Sequence, residues 1–164
     1  TYGTSTASDA TRPWNTVQTV KTGVNGAFHS TAPVDALFDL VYSLKSEHRD
    51  GASWLMSRDA ARRLRQVKDL EGRYGWQASL AAGAPDTLLG FPVNFSEEMP
   101  AIATDSLSIV FGNFAQSYLI LDRIGIQAVR DPFTAKPFVL FYTRRRVGGA
   151  LFNSEAVKIL KFSA

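Results

Sequence analysis

The stretch Leu107-Ser108-Ile109-Val110-Phe111-Gly112-Asn113-Phe114-Ala115-Gln116-Ser117-Tyr118-Leu119-Ile120-Leu121-Asp122 decides the class of fold. β-Branched and aromatic residues fill two short runs, 107–111 and 117–122, and Gly112-Asn113 punctuates them. That is the composition of strand, turn and strand. Downstream the pattern repeats. Residues 126–130 and 137–147 read as further strands, set off by Gly125, Asp131-Pro132 and Gly148-Gly149, and 156–162 alternates loosely as a final strand. This β-rich half begins past Gly90.

Upstream the period changes. From Pro33, apolar residues recur at Val34, Leu37, Phe38, Val41 and Leu44, the stripe of an amphipathic helix. Pro33 suits the first helical position, and Asp35 places a negative charge at the positive end of the helix dipole. Lys45, His48 and Arg49 lie near the other end, where Gly51 stops the helix. Residues 52–56 form a candidate buried strand. Ser57 can then cap a second helix, with Asp59 in its first turn and Ala60, Ala61, Leu64 and Val67 on its buried face. Gly72 and Gly75 make 69–76 a turn. Residues 17–24 allow a short edge strand, and 1–16, rich in Thr and Ser, read as a loop or tether. Helices first and strands later predict an α+β fold rather than a doubly wound sheet.

The 164 residues suit one domain or most of one. Cysteine is absent, which excludes disulfides, thiolate metal sites and a cysteine nucleophile. No run approaches the roughly 18 apolar residues of a membrane-spanning helix. The polar start, Thr1-Tyr2-Gly3-Thr4, lacks a methionine and reads as the edge of a piece cut from a longer chain. A net charge of +3 is too mild to argue for nucleic acid by itself.

The search for chemistry finds no catalytic constellation. His29 and His48 stand alone, without ligand spacing, and read as surface residues. Gly23-Val24-Asn25-Gly26 lacks the strand-then-helix context that cradles a phosphate. Glu97-Glu98 are neighbours in sequence and read as a surface turn, not an acid/base pair. Arg58, Arg62 and Arg65 share a helix face that could meet phosphates, but local pairing, such as Asp59 with Arg63, explains them better. In Arg144-Arg145-Arg146 alternate side chains face opposite sides of a strand, so at most two act together. No catalytic, cofactor-binding or metal-ligating residue is assigned, and no enzyme activity or cofactor is expected.

Phe138-Val139-Leu140-Phe141-Tyr142 is apolar on both faces, which predicts a strand buried on both sides, with Phe141 in the sheet core. With Phe111, Phe114, Tyr118 and Phe133 it leaves two readings open, an ordinary sheet core or an interface between subunits.

Four stretches resemble the major capsid proteins of tailed bacteriophages, the Hong Kong 97 fold. Val67-Lys68-Asp69-Leu70-Glu71-Gly72-Arg73-Tyr74 is similar to that family's turn after a helix, and Leu88-Leu89-Gly90-Phe91-Pro92-Val93 to its next strand. Phe111-Gly112-Asn113-Phe114, with Tyr118, Ile120, Asp122 and Arg123, resembles a third motif. Asn113 stands where the family often has Asp. Arg146-Val147-Gly148-Gly149, followed by Glu155-Ala156-Val157-Lys158-Ile159-Leu160-Lys161, resembles a fourth.

The resemblance implies a structural subunit of an icosahedral phage or prophage shell, self-assembling around packaged DNA. The N-terminal arm, extended loop and spine helix of the family are not visible here. It divides the chain into a linker with an edge strand (1–29), an axial domain (30–122) and returning strands of the peripheral domain (123–164). Implied partners are other copies of the chain, in pentamers and hexamers, together with portal, scaffold or protease proteins. DNA would be met without sequence preference, and no membrane is involved. The implied location is the virion capsid, and the bacterial host cytoplasm during assembly. Pro137 and Arg144 fall roughly where crosslinking members carry Asn and Glu, so no crosslink is expected. The alternatives are an encapsulin-like nanocompartment shell and, in a different class, a small basic nucleic-acid-binding module.

Overall fold

Helical stripe and strand alternation meet in one core in the computed structural model, which describes residues 17–29, 32–68, 72–76 and 86–164. The expected tether 1–16, and residues 69–71 of the expected turn, lie outside the described residues.

Helix α1 spans Asp35–Ser43 and buries Leu37, Leu40 and Val41, with Leu44 just beyond its end. The expected stripe is thereby rotated: Leu40 joins it, and Phe38 faces outward at 44% exposure. Val34 is the N-cap, so Pro33 precedes the helix instead of opening it. Nor does the helix run to Gly51. Leu44 turns to an extended backbone, one 3-10 turn follows at Ser46–His48, and Gly51, at φ +75°, leads into the next strand. A positive φ is where glycine costs least.

Strand β2, Ser53–Met56, alternates half-buried and buried residues, with Trp54 and Met56 pointing inward. Helix α2, Arg58–Gln66, begins as expected: the Ser57 hydroxyl accepts from the Ala60 N–H at 3.3 Å. It buries Ala60, Ala61 and Leu64, while Val67 lies past its last turn, half-buried.

The remaining strands of the main sheet are β1 (Thr19–Lys21), β3 (Thr87–Leu88), β4 (Phe91–Phe95), β5 (Ile109–Gly112) and β8 (Val157–Lys161). Their order is β1-β8-β5-β2-β4-β3. β1 runs parallel to β8 and β2 parallel to β4; the other pairs are antiparallel. The edge strand anticipated at 17–24 is therefore present, and it pairs with the last strand of the chain. Register puts Trp54 opposite Phe111 and Ile109 opposite Leu160, so one sheet face is lined by large apolar side chains. Both helices cover that face. Phe111 sits at its centre, 4.5 Å from the Trp54 ring and 5.0 Å from that of Phe91. A smaller cluster, Val17, Leu107, Val157 and Ile159, lies apart from it.

At Gly112 the chain approaches its neighbour too closely for a side chain, since a Cβ there would stand 2.7 Å from the Val157 Cα. Asn113 follows and ties two elements together. Its Nδ2 donates to the Asp50 carbonyl at 2.7 Å, and its Oδ1 accepts from Gln116 N–H at 3.2 Å, opening the single turn α3 (Phe114–Ser117).

Two expectations about the strands fail. Gly125 does not separate two strands, nor does Gly148-Gly149 end one: β6 runs Tyr118–Asp131 and β7 runs Leu140–Leu151, paired antiparallel as a separate two-stranded ribbon. The residues 138–142 are not buried on either side. Phe138 is 71% exposed, Phe141 67% and Tyr142 64%, so Phe141 is not part of a sheet core. Of the apolar run only Leu140, Phe141 and Tyr142 lie in a strand, with Phe138 and Val139 ahead of it, and the main sheet is completed without them. A domain boundary at 122/123 falls inside β6, and β8 is hydrogen-bonded to β5 in the main sheet.

Candidate functional site

The β6–β7 ribbon is the surface that the local chemistry leaves unexplained. Strands of this length carry alternate side chains to opposite faces. Leu119 and Leu121 alternate with Ile120 along β6, and all three are more than half exposed. Val129, Val147 and Ile126 are exposed as well, so both faces of the ribbon carry apolar side chains. An isolated two-stranded hairpin is marginally stable in water, and contiguous exposed apolar area marks an interaction site.

Its root is rigidly built. Phe152 N–H and Asn153 N–H both donate to the Ser117 carbonyl, at 2.8 and 3.2 Å. Gly149 lies under the Tyr118 ring, where a Cβ would stand 2.9 Å from Cζ. This explains Gly149 within β7, which makes room for an aromatic ring, whereas a Cβ at Gly148 would meet open space.

Midway, the register shifts between Asp122 and Ile124 and again between Ile124 and Gln127. Such bulges bend and twist a ribbon. The irregular stretch is flanked by polar pairs across the strands. Arg145 grips Asp122 at 2.6 Å, and Arg144 Nε donates to Gln127 Oε1 at 2.9 Å.

At the tip, Asp131 accepts from the Phe133 and Thr134 N–H groups at 2.9 and 3.2 Å, and from the Thr134 hydroxyl. The Thr134 hydroxyl first, then the backbone donors, hold its carboxyl below the usual carboxylate range.

The other sequence candidates are structural. Arg62 and Arg63 both bind Asp59, at 2.6 and 3.2 Å, and Arg58 faces Glu97 at 3.4 Å. Arg65 turns aside to Asp86, at 2.7 Å, beneath the Trp76 ring at 4.6 Å. Each arginine of α2 thus has a carboxylate partner, two of them within the helix and two on distant segments, and no free basic stripe remains on it. His48 Nδ1 lies 2.7 Å from Gln116 Oε1, and His29 Nδ1 accepts from the Ala32 N–H at 3.4 Å. Glu97 and Glu98 occupy a surface turn after β4. Among the described residues no group of three His, Asp or Glu side chains could hold a metal ion.

One polar network escaped the sequence. Lys45 binds Glu155 at 2.5 Å, and Lys158, only 7% exposed, donates to Gln18 Oε1 at 2.9 Å. Burial pushes the Lys158 ammonium below its ordinary value; Glu155 opposes that shift and Lys45 adds to it. The alternation of 156–162 was the available signal, since it places Lys158 on the same face as Leu160.

Comparison with known proteins gives a consistent result. A family model described as the phage capsid family matches residues 4–162. The capsid of an empty GTA particle is 43% identical, with a TM-score of 0.78, over 96% of this chain and 54% of that one. The capsid of a native GTA particle is 45% identical, with a TM-score of 0.79, over 92% of this chain and 51% of that one. A structure from Gordonia phage Cozz shares the fold at 14% identity, with a TM-score of 0.54, over 90% of this chain and 50% of that one. No curated protein matches. The chain spans about half the length of the solved capsid chains it matches.

Proposed function

Because the chain belongs to the phage capsid family, we propose that it is part of a structural subunit that self-assembles into an icosahedral shell around DNA. The observation that carries this reading is the ribbon. Ile120 at 69% and Phe141 at 67% exposure lie in a strand pair whose apolar side chains nothing in the described chain covers. A subunit that must grip several neighbours needs such surface, and a soluble monomer is disadvantaged by it.

In this reading the main sheet with α1 and α2 forms the axial body, and the ribbon reaches to the periphery. The boundary is best drawn at the ribbon root, because β8 is hydrogen-bonded to β5. The subunit has no catalytic role. It forms pentamers and hexamers with its own copies, meets portal, scaffold or protease proteins during assembly in the bacterial host cytoplasm, and ends in the virion capsid. Its likeness to two GTA capsids, at 43% and 45% identity, supports a capsid over a cargo nanocompartment or a nucleic-acid-binding module.

Expressing the full-length protein and examining it by sedimentation velocity and electron microscopy tests the proposal. Closed particles of uniform diameter are the expected result. A protein that stays monomeric at all concentrations, or one that binds short duplexes sequence-specifically, would overturn it.

A further inference from the structure

Between the 26–29 loop and the far end of α2 lies a cavity of about 310 Å³, at the small end of the range for ligand pockets. Its walls are held from both sides. Gly26, at φ +68°, packs so closely that a Cβ there would stand 3.1 Å from the Thr104 nitrogen, and its N–H donates to the Phe162 carbonyl at 3.3 Å. Phe28 rests edge-on against the Phe162 ring, with 5.2 Å between centroids. Opposite them, the Val67 carbonyl accepts from the Gly75 N–H at 3.1 Å. That removes one of the carbonyls that would repel an anion at a helix C-terminus.

The lining combines apolar and cationic groups. Pro33 and Ile102 are buried, and Phe28 and Val67 half-buried. Arg63 and Lys68 are exposed, and His29 adds an imidazole. Among the described residues no carboxylate lines the cavity. Asp59 takes the Nε edge of Arg63 at 3.2 Å, but it is shared with Arg62. One carboxylate between two guanidinium groups leaves a positive charge in surplus. The Lys68 ammonium meets no carboxylate among the described residues; it lies 4.9 Å from the centroid of the Tyr74 ring.

We propose that this cavity binds a small organic anion. Its phosphate or carboxylate head is held by Arg63 and Lys68, and its flat or apolar body packs against Phe28, Val67 and Ile102. Inorganic phosphate would answer the cations and leave the apolar wall in water, whereas an uncharged ring would cover the wall and gain nothing from the cations. A DNA duplex carries its phosphates along the outside of a rod with the bases stacked inside, so it brings no ring to this wall. The site belongs to the body formed by α2 and the main sheet, and its occupancy does not depend on shell formation.

Titration calorimetry of the full-length protein with phenyl phosphate, benzoate, inorganic phosphate and phenol tests the proposal. Phenyl phosphate or benzoate should bind about tenfold more tightly than either inorganic phosphate or phenol, and the better of the two identifies the head group. Arg63→Met and Lys68→Met should each weaken that binding about tenfold. Ala27→Trp, which fills the cavity, should abolish it. Arg58→Met, elsewhere on α2 and paired with Glu97, should leave it unchanged.

Thermal unfolding of each variant separates a lost site from a lost fold. Lys68 is exposed and meets no carboxylate among the described residues, so Lys68→Met keeps the test decisive if another variant unfolds. Inorganic phosphate binding as tightly as phenyl phosphate would overturn the proposal, as would an equal loss in Arg58→Met, since both mean diffuse attraction to positive charge. Displacement of phenyl phosphate by a short duplex would overturn it too and assign the cations to nucleic acid. No binding at all, as when the rest of the full-length chain fills the cavity, would overturn it while leaving the shell reading intact.

Discussion

Tyr118 and Gly149 form a lock at the base of the ribbon: the ring occupies the space that a side chain at 149 would need, with Cζ 2.9 Å from the Cβ position. The two residues are on neighbouring strands, two pairs apart in register and so on the same face, since Tyr118 faces Leu151 and Ile120 faces Gly149. Gly149→Ala therefore forces the ring to move, and overpacking of this kind costs about 1–3 kcal/mol. Chemical denaturation should show the loss, and hydrogen exchange should place it at 117–120 and 149–153. Adding Tyr118→Ala should recover part of it, because the two positions are in contact and their effects are not additive.

Phe111 and Phe141 make a paired test of where the core lies. Phe111 is fully buried between Trp54 and Phe91, so Phe111→Ala should cost about 3–5 kcal/mol in a urea midpoint measurement. Phe141 is exposed, and Phe141→Ala should change the stability of this chain by no more than about 0.5 kcal/mol. The same variant should lower particle yield in the full-length protein. A large loss of stability at 141 would put the ribbon back inside a core.

Ser57 is the side-chain cap of α2, accepting from the Ala60 N–H. Removing it by Ser57→Ala leaves that buried donor unpaired and should cost about 1 kcal/mol. Ser57→Asp, whose carboxylate can accept the same N–H, should retain most of the stability, which assigns the loss to the cap.

The Lys45–Glu155 pair sets a pH dependence at the end of α1. The hydrogen bond from Lys45, then its charge, holds the Glu155 carboxyl below the usual carboxylate value. A depressed carboxyl pKa contributes stability above the unfolded value and loses it as pH falls through the folded one. Lys45 is raised by the same hydrogen bond and charge, so its share is present at neutral pH and lost only as pH rises past the ordinary lysine value. An NMR titration should find the Glu155 midpoint lowered, and Lys45→Met should return it to the ordinary range.

Local rules made the helices and caps legible. Ser57, Asp59, Ala60, Ala61 and Leu64 state α2 almost completely, because capping and helical periodicity act within a few residues. For α1 the period was right but its phase was not. Leu40 and Phe38 are both large and apolar, and only the packing of α1 against the sheet decides which turns inward. The ribbon defeated sequence reading for a different reason. An apolar run such as Phe138–Tyr142 requires a cover but does not say whose, and Gly148-Gly149 reads as a stop unless the ring that crosses it is known. The arginines of α2 were legible as a locally paired face through Asp59 and Arg63. Arg65 was not, since Asp86 and Trp76 are distant in sequence.

The parallel pairing of β1 with β8 has a consequence for biosynthesis. Gln18 and Lys158, 140 positions apart, are hydrogen-bonded, and β8 lies between β1 and β5 in the sheet. Until the ribosome releases residues 157–162, the main sheet lacks an interior strand, and Leu160 and Phe162 are missing from its core. The ribbon, made earlier, is therefore outside the ribosome before the body that anchors it can close. At about 5–20 residues per second this interval is short. It is nonetheless the window in which the chain shows sticky strands without a finished scaffold, so a chaperone that binds nascent apolar hairpins would act there, ahead of any contact between completed subunits.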